Sequence, residues 1–131
     1  MPSKQAGMIS ITDADFDRAV QEALAAIPDD LAVYLDNVLV EVRGKPDLAL
    51  LEEYEETDDL LGLYLGVPLE DKGPENCAAP LPDRVLLFRD NLCEMCASYA
   101  ELVEEIRVTV LHEIGHHFGL DDDRLADLGY E

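Results

Sequence analysis

At 131 residues the chain falls in the single-domain range and is long enough to bury one core, and its 48% hydrophobic content speaks against disorder. Its 30 acidic residues against 9 basic ones give a net charge of -21, which repels phosphate backbones and anionic membranes and disfavours nucleic acid as a partner. No apolar run approaches the roughly 20 residues of a membrane-spanning helix, and the odd set of three cysteines, Cys77, Cys93 and Cys96, reads as reduced thiols.

Residues 1–11 read as a loose start without the apolar core of a secretory signal, so the expected compartment is the cytoplasm. Thr12 then offers a capping hydroxyl with Asp15 three residues on, and Phe16, Val20, Ala23, Leu24 and Ile27 recur at helical spacing. Pro28 and the two aspartates after it end that helix. Val38, Val40 and Val42 alternate with Leu39, Glu41 and Arg43, a half-buried strand closed by Gly44 and Pro46. The run from Glu52 to Asp59 carries too much like charge to pack and reads as a solvated loop. Leu61, Leu63, Leu65 and Val67 alternate with Gly62, Tyr64 and Gly66, a second strand whose glycine-bearing face lets another backbone come close. Residues 70–82 form a connecting loop, and Val85-Leu86-Leu87-Phe88 is a short buried strand. Ser98-Tyr99-Ala100-Glu101 is a capping box, from which Leu102, Ile106, Val110 and Ile114 run as an apolar stripe. That helix is expected from about residue 99 to Phe118, where Gly119 takes the left-handed conformation that stops it. The order of elements predicts one α+β domain over residues 1–131, with helices against a small mixed sheet and a long last helix.

All three histidines lie within six residues, and two of them bracket a glutamate as His112-Glu113-x-x-His116. Positions four apart on a helix share a face, so both imidazoles can reach one metal ion. Glu113 sits about 100° round the helix from His112, out of the ligand row but placed to touch a water at that metal. This is the zinc peptidase arrangement, with Glu113 as general base. Gly119 and Asp122 extend the pattern to His112-Glu113-x-x-His116-x-x-Gly119-x-x-Asp122. A glycine that ends the helix lets the chain turn back and bring residue 122 beneath the metal. Catalytic zinc takes three protein ligands and keeps one position open. With no histidine left outside the cluster, the third ligand is a carboxylate or a thiolate, and Asp122 is the nearest choice.

The segment from Val108 through His112-Glu113-Ile114-Gly115-His116-His117-Phe118-Gly119-Leu120-Asp121-Asp122 to Leu125 resembles the signature of a family of minimal bacterial zincin-like metallopeptidases. The strand Val85-Leu86-Leu87-Phe88-Arg89 ahead of the long helix is similar to its members as well. The resemblance implies a compact α+β zincin-like core with bound zinc, His112, His116 and Asp122 as its ligands and Glu113 as the base. Metzincin peptidases share the spacing but carry a methionine-bearing turn downstream. No methionine follows Asp122 here, so the floor of the metal site must be built differently.

Other residues have plainer readings. His117 is about 140° round the helix from His112 and is expected in a structural role. Cys93-Glu94-Met95-Cys96 reads as a pair of buried structural thiols. Thr109, one turn before His112, is expected to line the site, Arg124 to orient the acidic cluster, and Tyr130 to lie in a frayed tail. The expected function is zinc-dependent hydrolysis of a peptide or protein substrate, with basic segments favoured by the net charge. One alternative is a zinc-binding module, weakly active or inactive, acting through a protein partner. Another is a metal-dependent endoribonuclease, whose family has histidine in place of Asp122, lacks the glutamate after the first histidine, and would meet RNA here with a charge of -21. Asp122→Ala is expected to weaken zinc affinity about 10-fold or more, and Asp121→Ala or His117→Ala much less. A zinc titration in which Asp121→Ala alone loses the metal would overturn the spacing argument.

Overall fold

Thr12 starts the first helix as its hydroxyl predicts. Its Oγ1 accepts from the Asp15 amide at 3.1 Å, and α1 (Asp13–Ala25) buries Phe16, Ala19, Val20 and Ala23. The computed structural model describes residues 9–66 and 82–119. Past Pro28 the chain does not go straight to the strand. Asp29–Ala32 forms a single helical turn, α2, followed by a 3₁₀ turn at Val33–Leu35. The first helix ends ahead of Pro28 as expected, and the two aspartates after it also begin this turn, where carboxylates suit the exposed amides of a helix N-terminus.

Strand β1 (Val38–Arg43) follows, half-buried as its alternation predicts. The acidic run Glu52–Asp59 is a solvated loop from Glu55 onward and differs from expectation only at its start. Residues Leu48–Tyr54 are helical, α3, because Asp47 caps them by accepting from the Leu50 amide at 2.9 Å, and Leu50 packs on the core below. The charges stay exposed on the outer face, so like-charge repulsion is relieved by water without unwinding the turn. Glu55 ends α3 in the left-handed region, φ 55°. Strand β2 (Gly62–Leu65) and strand β3 (Asp83–Phe88) come next. The proposed continuation of β2 to Val67 and the connecting loop lie largely outside the described residues.

The sheet order is β1-β3-β2, with β1 parallel and β2 antiparallel to β3. Central β3 is buried almost throughout, and its run Val85–Phe88 is apolar because both its faces are covered. Val85 and Leu87 join the main core under the helices, while Leu86 and Phe88 meet Leu63 on the other face. Strand β2 is likewise buried on both faces, which its alternation alone did not foretell.

From β3 the chain enters α4 (Arg89–Met95) with no capping side chain, then α5 (Tyr99–Phe118). The capping box forms: Ser98 Oγ accepts from the Glu101 amide at 3.1 Å, and Glu101 Oε1 accepts from the Ala97 amide at 2.6 Å. Leu102, Ile106, Val110 and Ile114 are all 0% exposed and pack toward α1 and the sheet. Gly119, φ 62°, ends the helix. No helix among the described residues is long and apolar enough to cross a membrane.

Strand β2 can lie on α5 only because residue 62 is glycine. A Cβ there would stand 2.7 Å from Thr109 Cγ2 and 2.9 Å from the Leu86 carbonyl oxygen. Gly62→Ala is therefore expected to destabilise the fold by about 1–3 kcal/mol through overpacking. A urea denaturation midpoint unchanged by this substitution would contradict the close approach.

Candidate active site

Helix α5 delivers the motif. His112 and His116 stand one turn apart on its solvent side with ring centroids 4.2 Å apart and planes tilted by 53°. Burial, and then His116, lower the proton affinity of His112, which favours the neutral, metal-binding form of the imidazole. Paired nitrogen donors on one face are the donor chemistry that zinc takes from such a helix, so the residues in place fit that ion. Among the described residues no group of three His, Cys, Asp or Glu side chains converges to hold a metal. The expected third ligand, Asp122, lies outside the described residues, as do Arg124 and Tyr130.

Glu113 points to the other side of the histidine row, toward β2. Its Oε1 accepts from the Tyr64 amide at 3.0 Å. The ladder explains why that amide is available. The Phe88 amide donates to the Leu61 carbonyl at 2.9 Å, and Leu63 pairs with Leu86. Odd-numbered residues of β2 thus face β3, while Gly62 and Tyr64 turn their backbone polar groups outward. Burial raises the proton affinity of Glu113, and nearby Glu56 adds to this. The Tyr64 amide and His116 act in the opposite sense without reversing it.

Between α5 and β2 opens a cavity of about 570 Å³, lined by His112, Glu113 and His116 at one end and by Thr109 and Glu105 further along the helix. Gly62 and Leu63 of β2 and Glu56 before it form the opposite wall. Thr109 takes the position expected for it.

His117 does not join the other two. Its ring stacks on Tyr64 at 3.9 Å, nearly parallel at 16°, with Nε2 3.9 Å from Asp83 Oδ2. Tyr64 donates its hydroxyl to the same Asp83 oxygen at 2.7 Å, inside a buried environment that pushes the phenol's proton affinity up. Phe118 closes the cluster edge-on to both rings. The end of α5 is thereby fastened to the edge strand. Cys93 and Cys96 are free thiols with Cys96 2% exposed, and burial raises its pKa to about 11. That is the inert, structural state.

Tyr64, Asp83 and Asn91 are site-building residues that sequence reasoning passed over. Asn91, 5% exposed, donates from Nδ2 to the carbonyls of Asp58 and Leu60, both at 2.8 Å, and accepts from Lys45 Nζ at 3.1 Å. It ties down the segment that leads into β2. It stands in the polar run Arg89-Asp90-Asn91, where nothing in the sequence singles it out as buried.

The raised proton affinity of Glu113 makes a statement about stability. A carboxylate whose folded pKa is raised contributes stability below the unfolded carboxylate range and loses it as pH rises through the folded value. Near neutral pH the ionised side chain therefore opposes folding. Metal-free Glu113→Gln, whose amide oxygen can still accept from Tyr64, should resist urea better than the native chain at neutral pH. The gap should close toward about pH 4. A native chain that equals or exceeds the variant at neutral pH would refute the burial account.

The fold and this geometry can be set beside known proteins. The model of a zincin-like metallopeptidase family matches residues 35–130. A search of the curated proteins finds no match. Among solved structures, a conserved hypothetical protein from Thermo thermophilus is similar at 25% identity and a TM-score of 0.50, over 82% of this chain and 94% of that one. With the family match spanning most of the sequence and the motif helix lying inside it, the chain belongs to the zincin-like metallopeptidases.

Proposed function

We propose that the chain is a zinc-dependent peptidase whose reaction is carried by Glu113 as general base. The observation that carries this reading is the placement of Glu113. Its carboxylate lies on the cavity, one residue from His112, with one oxygen held by the outward amide of the edge strand. His112 and His116 would hold zinc with Asp122 as the third ligand. When bound, zinc supplies a Lewis acid that acidifies a water and polarises a peptide carbonyl.

The chain's own residues account for the rest. The amide bond from Tyr64 fixes one oxygen of Glu113 and leaves the other to take the proton from the attacking water. Half-burial gives that oxygen the raised proton affinity a base needs, and the same group can then pass the proton to the departing amine nitrogen. Gly62 presents outward backbone groups on the cavity wall, and an extended peptide can pair with such an edge. The stack of Tyr64 on His117 keeps that edge at a set distance from the helix.

Purified protein is expected to carry about one zinc per chain, removable by chelator and lost as pH falls below about 6, because the imidazoles must be neutral to bind. Glu113→Gln should keep the zinc and lose hydrolysis of any peptide the native chain cleaves. Elemental analysis paired with mass-spectrometric peptide assays checks both. Full activity in the variant removes Glu113 from the role of base, and loss of zinc in it makes Glu113 a ligand instead.

A further inference from the structure

The cavity runs well past the histidines. Glu105 stands two turns before His112 on the same side of α5, about 10 Å along the axis. Glu56 borders the same cavity from the wall that leads into β2, where its charge is felt at Glu113. No lysine or arginine lines this space, and neither carboxylate has an ion-pair partner among the described residues. Burial, with Glu104 adding to it, raises the proton affinity of Glu105, as befits a carboxylate partly withdrawn from water without a counter-charge. Between Glu105 and the histidines lies Thr109. It is 7% exposed, lines the same cavity, and its hydroxyl has no hydrogen-bond partner among the described residues.

A half-buried carboxylate and an unpaired hydroxyl gain most from a ligand that brings several N–H donors and a positive charge. A basic side chain also brings an aliphatic stem, and Val108 and Leu60 offer apolar surface along the same walls. We propose that Glu105, Glu56 and Thr109 form a subsite for a lysine or arginine side chain, so that the cleft selects peptides with a basic residue near the bond presented to the histidines. The subsite rests on the peptidase reading for its ligand being a peptide.

The test is fluorescence anisotropy of labelled, end-blocked hexapeptides that differ at one position, lysine, norleucine or glutamate. The partner is full-length zinc-loaded protein carrying Glu113→Gln, which keeps the peptides intact. The lysine peptide should bind about 10-fold tighter than the norleucine peptide, and Glu105→Gln should cut that ratio to about threefold or less. Glu52→Gln makes the same charge change on the exposed face of α3 and should leave the ratio as it was. Equal binding of the lysine and norleucine peptides overturns the subsite, as does an equal loss of preference in Glu52→Gln. If circular dichroism shows Glu105→Gln unfolded, Glu56→Gln, at an exposed position, decides the question by the same ratio. Cleavage by the native chain is followed separately by mass spectrometry. Preference for lysine without cleavage of any peptide supports the subsite and sinks the peptidase reading, and cleavage without preference does the reverse.

Discussion

The amide of Tyr64 and the carboxylate of Glu113 meet because Gly62, two residues earlier, has no side chain to hold the strand away from α5. Everything around the cleft serves that approach. Antiparallel pairing to β3 turns the polar groups of Gly62 and Tyr64 outward, and parallel β1 on the far side keeps β3 central. Asn91 holds the incoming segment by two carbonyls. The Tyr64–Asp83 hydrogen bond and the His117 stack fasten the outgoing end. Behind the helix, α1 fills the remaining side with Phe16, Ala19 and Ala23, each 0% exposed. Alanine at positions 19 and 23 lets α1 and α5 approach one another closely.

The site occupies the last two turns of a 20-residue helix, and that position sets up a competition. The negative end of a helix dipole stabilises cations, protons on imidazole included. Burial of His112 and the neighbouring His116 pull the other way, toward the unprotonated ring. A proton and a metal ion both gain from the dipole, but only the metal gains from two adjacent neutral nitrogens. The pairing thus biases the site against protons without biasing it against a divalent ion.

What was legible in the sequence was what is local. Helix α5 announced itself because it is long, periodic and capped at both ends by Ser98 and Gly119, and the pairing of His112 with His116 was readable because spacing on one helix fixes which side chains share a face. Helices α3 and α4, seven residues each, are too short for periodicity to speak, and α4 lacks a capping side chain. Strand β2 was found, but its two-sided burial was not, since its second face is covered by Leu50 of the unforeseen α3 and flanked by Leu86 and Phe88 of β3. The residues that build the cleft were hidden for the same reason. Tyr64 meets Glu113 across 49 positions and Asp83 across 19, and no pattern within either segment signals the pairing.

The charge of -21 invites a purely global account of the acidic cleft, and the distribution of the basic residues argues against it. Each lysine and arginine among the described residues is paired elsewhere. Arg18 lies with Asp15, Arg43 and Arg84 with Glu41, Lys45 with Glu94, Arg89 with Asp13, and Arg107 with Glu104. Such exposed pairs contribute about 0–1 kcal/mol each to stability, so their weight lies less in holding the fold than in where they leave the field uncompensated. Salt screens exposed charges beyond about 10 Å at 0.1 M, which mutes most of the surface excess at the cleft. The carboxylates of Glu56, Glu105 and Glu113 share one cavity with no lysine or arginine on its walls among the described residues, and partial burial shields the field of Glu105 and Glu113 from that screening. The local charge, not the total, is therefore what a ligand entering between α5 and β2 meets.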